Sequence, residues 1–420
     1  MIKKIYSCKC GRLVAGQTLA LNKKFLGRNI EKFMCIDCLA EYLGTTREYL
    51  FGRIHDFIKI EKCELFKDEK FDNTKSSLIK AQALPLSEKF RIACERITEW
   101  YYFYDGKVYV SFSGGKDSTV LLHIVRLLFP DVEAVFVNTG LEYPEIQKFV
   151  KTFDNVTILR PKMRFDEVIK KYGYPIISKE ISECVSQGRK ALERNDGSYC
   201  YRLLKLQGKA LDKNGNPSLF NKTKYEPLLH VNFLLSNECC NVMKKKPAKL
   251  YAKVSGKKPI TGQMAQESNL REQQWLKNGC NGFDMKSPIS NPMSFWTEQD
   301  VLQYIKENDL PIASVYGEVV GVDKFGFEHS PDLFGEYASY KTTGCDRTGC
   351  IFCGFGCHLE KSPSRFERLK ETHPRQYQYC IGGGEYNDDG IWQPNKKGLG
   401  LGHVFDELNE IYGDGFIKYK

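Results

Sequence analysis

Hydrophobic and polar positions change period several times along this chain, and each change marks an element. Leu39, Tyr42, Leu43, Tyr49, Leu50, Ile54 and Phe57 recur at helical spacing, and residues 84–100 carry a second amphipathic pattern. The period then shortens. Val108–Ser111 is β-branched and aromatic, follows Asp105-Gly106, and predicts a short buried strand. A glycine turn, Ser113-Gly114-Gly115-Lys116-Asp117-Ser118, leads back to helical spacing at Val120, Leu121, Ile124 and Leu128. Residues 132–138 (VEAVFVN) and 156–159 predict two more strands, with a helix over 145–153 between them. This alternation predicts an α/β fold built on a doubly wound parallel sheet. Ligands of such sheets lie at the carboxyl ends of the strands, where residues 113–118 and 139–145 both fall.

A strand, a glycine turn and a helix present free backbone N–H groups to a phosphate at the helix N-terminus. Gly114 and Gly115 let the main chain approach an anion, Ser113 and Ser118 supply hydroxyls, and Lys116 adds a point charge. Asp117 beside phosphates implies either Mg²⁺ or a helix cap. The loop is not of the G-x-x-x-x-G-K-[ST] type. A plain glycine turn is the competing reading.

The totals narrow the class. A chain of 420 residues predicts two to three domains, and 42% hydrophobic with 27% charged residues is a globular balance. A net charge of +10 is compatible with a nucleic-acid or polyphosphate partner without demanding one. The start MIKKIYSCKCG has no apolar signal core, and no segment approaches membrane-spanning length. Sixteen cysteines, some clustered in Cys-x-Cys and Cys-x-x-Cys pairs, then favour metal over disulfides. The expectation is a cytoplasmic protein with metal sites and no membrane partner. Its expected parts are a zinc-binding module over 1–45, a helical linker over 46–104, a nucleotide-binding domain over 105–335 and a cysteine-rich region over 336–420.

Cys8, Cys10, Cys35 and Cys38 form two pairs separated by 24 residues that include Gly11, Gly16 and Gly27. Brought together, they would close a tetrahedral Zn²⁺ shell with no open position, a structural site. Four unrelated thiols are the bland alternative. Cys239-Cys240, followed by Lys244-Lys245-Lys246, suits an iron cluster better than a strained disulfide between neighbours. Cys345, Cys350, Cys353 and Cys357 have a spacing like that of plant-type iron–sulfur proteins, with zinc as the alternative. Arg189, Lys190, Arg194, Arg202, Lys205 and Lys209, with Tyr199 and Tyr201, could track a phosphate backbone or be a solvated helix face. In TGQMAQESNLR, Gln266, Glu267, Ser268 and Arg271 suit an anionic substrate group, or a polar loop entering a helix.

Taken in order, these motifs resemble the phosphoadenylyl-sulfate reductase family of the PP-loop ATP pyrophosphatase superfamily, over about residues 100–360. The resemblance rests on SGGKDS, NTGLEYPE, SNECCNVMKKKP, TGQMAQESNLR, SPISNPMSFWTEQDVLQYIKENDLPIASVY and GCIFC. It implies a Rossmann-like fold and an adenine nucleotide held by Ser111, Ser113, Gly114, Gly115, Lys116, Asp117 and Ser118. Thr139, Gly140 and Glu142 would line the adenosine or metal side. It further implies a [4Fe–4S] cluster on Cys239, Cys240, Cys350 and Cys353, with Cys345 and Cys357 as neighbours, alternative ligands or sulfur-handling thiols.

Three departures qualify the match. Met264 replaces the family's first loop arginine, the ECGLH tail is missing with Cys380 the nearest candidate, and the phosphate loop is intact where the reductases often have it eroded. The last two point from sulfate reduction towards ATP-driven adenylation coupled to sulfur transfer, as in DNA phosphorothioation enzymes and iron–sulfur tRNA thiolases. Under that reading ATP/Mg²⁺ is the cofactor, nucleic acid or a small molecule the acceptor, and a sulfur or electron donor protein the partner. Catalysis would fall to Lys116, Asp117, Arg271, Cys345 and Cys357. A reductase and a non-catalytic, metal-bearing nucleic-acid-binding regulator are the rival classes, and a homo-oligomer is open.

Overall fold

The computed structural model describes residues 5–66, 72–194, 199–323, 325, 327–328 and 337–420. They divide into two compact units: 1–137 with 144–159 and 250–347, and 138–143 with 160–249 and 348–420.

The first unit holds a six-stranded sheet. In chain order its strands are β1 (Val108–Ser111), β2 (Ala134–Val137), β3 (Val156–Leu159), β4 (Lys258–Ile260), β5 (Asn281–Gly282) and β6 (Ile289–Ser290). The spatial order is β3-β2-β1-β4-β6-β5, parallel throughout except for the antiparallel edge pair β5–β6. The first strand therefore lies inside the sheet, with crossovers running outward on both sides, which is the doubly wound arrangement. Its residues Val108, Tyr109 and Val110 are buried, as a strand covered on both faces requires.

Helix α1 (Leu86–Phe103) feeds β1 and begins directly after Pro85, whose ring cannot sit inside a helix. Asp105 and Gly106, both at positive φ, stop it, and the Gly106 N–H donates to the Tyr101 carbonyl. Helix α2 (Lys116–Leu128) follows the glycine turn, and α3 (Asn269–Asn278) and α4 (Glu298–Glu307) come later. The helix expected over 145–153 spans Pro144–Val150, because its last turn tightens into i→i−3 bonds from Lys151 and Thr152. A buried ion pair fixes α4: Lys89 Nζ lies 2.8 and 2.6 Å from the two Asp300 oxygens. Asp300 also accepts from Thr297 N–H and Oγ1, closing a capping box at the N-terminus of α4. Removing one partner of such a pair costs roughly 3–5 kcal/mol.

The second unit packs around Tyr174, Ile176, Val185, Leu228, Phe233 and Phe405, all buried. Ile176–Ile177 pairs in parallel with Gly354–Phe355. The basic run belongs to this unit, and part of it is committed internally. Arg189 donates to the Leu228, Val231 and Phe233 carbonyls, while Lys205 and Arg202 pair with Glu180 and Glu183. No helix among the described residues is long and apolar enough to cross a membrane.

Candidate functional site

In the first unit the turn after β1 is shaped by its glycines. Gly114 sits at φ +71°, and a Cβ there would lie 2.8 Å from the Ile146 and Val150 side chains. Only glycine meets both demands. Gly262, at the carboxyl end of β4, lies against the same turn: a Cβ on it would meet the Asp117 carbonyl at 3.1 Å. The turn's hydroxyls are mutually bonded, with Ser113 Oγ and Ser118 Oγ 3.0 Å apart. Ser118 Oγ also accepts from the Ser113 N–H, and Ser113 Oγ from the Gly115 N–H. Ser111 is the half-buried last residue of β1.

Lys116 is 4% exposed, and its Nζ contacts Glu298 Oε1 and the Asp346 carbonyl, each at 2.8 Å. Its backbone N–H donates to Tyr316 Oη at 3.3 Å. Asp117 is more unusual. Its Oδ1 is buried and has no hydrogen-bond partner. Burial raises its carboxyl above the ordinary value, opposed by the charge of Lys116, supported by Glu298, and opposed again by Arg347 and Arg271. Arg347, Glu298 and Tyr316 were not foreseen from the sequence. Glu298 stands directly after the Trp296-Thr297 pair of the helix motif, and Arg347 two residues from Cys345, so both were within reach of a closer reading.

The residues expected to face substrate are largely engaged. Gln266 Oε1 accepts the Glu298 N–H at 3.0 Å, Glu267 accepts the Met264 N–H, and Ser268 caps α3. Arg271 pairs with Glu267 and adds positive charge near Asp117. Cys345 is half-buried in this unit, one residue before the carbonyl that holds Lys116.

Cys8, Cys10, Cys35 and Cys38 also lie in the first unit, with their sulfurs all within 4.8 Å of one another. Two of them border the hairpin of Tyr6–Ser7 and Leu13–Val14, and two open the helix Ile36–Tyr42. Although burial opposes ionisation, amide N–H groups of Cys10 and Cys35 bring the Cys8 thiol down to about 7. Burial raises Cys35 and Cys38. Asp37 ties the site to its surroundings: it pairs with Arg12 and Arg47, and Arg47 donates to Tyr101 Oη, whose ring stacks on Phe129 at 3.6 Å.

The second unit holds Cys239, Cys240, Cys350, Cys353, Cys357 and Cys380. Cys239 and Cys240 occupy the helical turn Glu238–Cys240, which continues as a π-helical stretch, Asn241–Lys245. Such widened turns are common at functional sites. Cys350 and Cys353 precede Gly354–Phe355, and Arg365 donates to the Cys353 carbonyl at 2.9 Å. Burial pushes Cys350 up to about 11 and raises Cys239 and Cys353, and the charges of these four thiols oppose one another. Lys244 counters them. It is held protonated against burial by Cys350, Glu142 and Cys240, and its Nζ lies 3.9 Å from Glu142 Oε1. Glu142 in turn accepts from the Thr139 N–H at 3.0 Å and Thr139 Oγ1 at 2.7 Å, and Gly140, at φ +74°, completes this loop. Cys357 is buried, donates to the Gly354 carbonyl, and neighbours the fully buried Cys380. A cavity of about 840 Å³ in the first unit is lined by Gln17, His55, Arg96, Phe103 and Phe283, among others, none of them expected at the site.

The first unit is thus an α/β fold with a mostly parallel sheet, whose inner strand runs through a glycine turn into a helix N-terminus. The model of the phosphoadenosine phosphosulfate reductase domain matches residues 107–178 and 201–354, just over half of the chain, and the chain belongs to that family of enzymes. An uncharacterized protein of Methanocaldococcus jannaschii is 33% identical over 129 residues, 29% of this chain and 31% of that protein. The chain thus spans about a third of that relative's length. An adenosine 5′-phosphosulfate reductase of Staphylococcus epidermidis is 24% identical over 241 residues, 56% of this chain and 75% of the relative. Sulfate adenylyltransferase subunit 2 of Pseudoalteromonas translucida is 24% identical over 256 residues, 57% of this chain and 73% of the relative. The crystal structure of a phosphoadenylyl-sulfate reductase from Candida auris, a phosphate complex, overlaps 57% of this chain and 90% of its own. That overlap has 15% identity and a TM-score of 0.31, too slight to bear on the fold.

Proposed function

We propose that the protein is an ATP pyrophosphatase that adenylates an acceptor oxygen and so prepares it for sulfur transfer. The observation that carries this reading is Asp117, whose buried Oδ1 has no hydrogen-bond partner beside a glycine turn and a lysine. An oxyanion left in that state suits a nucleotide-borne Mg²⁺, which is commonly held by one or two carboxylates plus phosphates. Backbone N–H groups of residues 113–118, with Lys116, would hold the β- and γ-phosphates, and Arg271 would offset charge near Asp117. An oxygen of nucleic acid or of a small molecule attacks the α-phosphate, and pyrophosphate leaves. Hydrosulfide brought by a donor protein, held by hydrogen bonding to a thiol such as Cys345 or Cys357, then attacks the adenylated atom; the bond from that atom to the adenylated oxygen breaks, and AMP leaves carrying that oxygen.

Cys239, Cys240, Cys350 and Cys353 would hold a [4Fe–4S] cluster, which supplies electron-transfer or sulfur-binding chemistry when bound. The fit is supported by spacing. Only the N-terminal four sulfurs lie within one ion's reach among the described residues, so the second quartet suits a group wider than one metal ion. Lys244 would offset its negative charge. Cys8, Cys10, Cys35 and Cys38 suit a structural Zn²⁺.

A second reading, reduction of adenylyl sulfate, draws on the names of the staphylococcal relative and of others like it. Incubation with ATP and acceptor separates the two. AMP and pyrophosphate are expected under the first. Sulfite release from adenylyl sulfate with a thiol donor, and no pyrophosphate from ATP, would replace it with the second.

A further inference from the structure

The cation of the glycine turn is already occupied. Lys116 Nζ has oxygen partners at 2.8 Å on two sides, the Glu298 carboxylate and the Asp346 carbonyl, in a side chain 4% exposed. Three of the turn's backbone donors are filled in the same manner. The Lys116 N–H goes to Tyr316 Oη, the Ser113 N–H to Ser118 Oγ and the Gly115 N–H to Ser113 Oγ. A carboxylate, a carbonyl and three hydroxyls thus supply the oxygen atoms that a polyphosphate would bring. A phosphate oxyanion arriving at Lys116 meets the like charge of Glu298 unless that carboxylate leaves.

Glu298 is built to leave. Its side chain is 35% exposed, in contrast to the lysine it holds. The helix end beneath it stays in place without it: Thr297 and Asp300 close the capping box, Lys89 grips Asp300, and Gln266 takes the Glu298 N–H. The carboxylate can therefore swing into water by rotation of its own side chain.

We propose that Glu298 is an internal competitor for Lys116, holding the lysine while the turn is empty and surrendering it to a pyrophosphate group. Glu298 is thereby an affinity-setting residue of the phosphate site. This rests on the phosphate-binding reading of the turn given above. The opposite role, a fixed carboxylate that keeps Lys116 aimed at the ligand, predicts the reverse effect of removing it.

Calorimetric titration of the full chain with inorganic pyrophosphate tests the proposal, using wild type, E298Q, E298A, K116A and K116A/E298Q. The expected result is that E298Q and E298A each bind pyrophosphate about tenfold more tightly than wild type, as loss of a charge-assisted competing bond implies. In the K116A background the same change should give no gain, because the competition is for that lysine. Damage to the fold would weaken binding, so tightening cannot come from it. Equal or weaker binding by both Glu298 variants overturns the proposal. A gain that persists without Lys116 also overturns it, in favour of general repulsion. If wild type and K116A alike fail to bind pyrophosphate, the phosphate reading itself falls.

Discussion

Two sets of four cysteines in this chain share donor chemistry and differ in almost everything else. Cys8, Cys10, Cys35 and Cys38 sit within 4.8 Å of one another, on a two-residue hairpin and a helix start. Cys239, Cys240, Cys350 and Cys353 are spread wider, are joined by Lys244, and come from a helical turn and a segment more than a hundred residues on. Short hairpins bring thiols close enough for one tetrahedral ion. The second set rests on a π-helical stretch and a loop tied down by Arg365, and its sulfurs do not gather within that reach. Spacing along the chain does not report how many metals a thiol set can hold. The scaffold under the thiols sets how closely their sulfurs gather.

The comparison breaks most visibly at the second quartet. Cys353→Ser should abolish iron content and visible absorbance while leaving zinc unchanged, by metal analysis of an anaerobic preparation. Retained iron would remove that ligand set. Cys35→Ser should do the converse, losing zinc with iron intact, and should lower the melting temperature of the protein by roughly 10 °C. A variant that melts like wild type would mean the N-terminal sulfurs hold no structural metal.

Asp117→Asn should leave both metals in place and cut ATP turnover by about a hundredfold. It should also raise the melting temperature of the nucleotide-free protein. Burial first of all raises the Asp117 carboxyl, so its ionised form is disfavoured in the fold. That cost is absent below the carboxyl's ordinary range and complete above its raised value. The advantage of the Asn variant should therefore grow as pH rises through the acid range, and a constant difference would contradict the assignment. Lys244→Gln should keep the iron, shift its reduction potential downward through loss of a nearby cation, and lower turnover about tenfold. Unchanged potential would detach Lys244 from the second quartet. The smallest effects belong to Cys345→Ser and Cys357→Ser, expected to reduce turnover severalfold with both metals retained. Iron loss in either would make it a ligand instead.

The strand-turn-helix at residues 108–128 was legible because its information is local. A β-branched run, two glycines and a return to helical period fix the strand, the positive φ at Gly114 and the helix start without help from elsewhere. The N-terminal cysteine pairs were legible for the same reason, and the structure brings their sulfurs together. The TGQMAQESNLR loop was legible as a loop entering a helix but not in its contacts. Gln266, Glu267 and Ser268 spend their side chains on the Glu298 N–H, the Met264 N–H and the α3 cap, partners that only the folded chain brings near.

By itself the sequence determined the α/β class, the glycine turn, the family and the cysteine pairs, since each depends on residues close together along the chain. Tertiary structure alone decided that Lys116 meets Glu298 and Asp346, that Asp117 Oδ1 is buried without a partner, and that Lys244 reaches Glu142. These contacts join residues up to 230 positions apart. Charge pairing and burial depend on distance in space, and no periodicity along the chain encodes it.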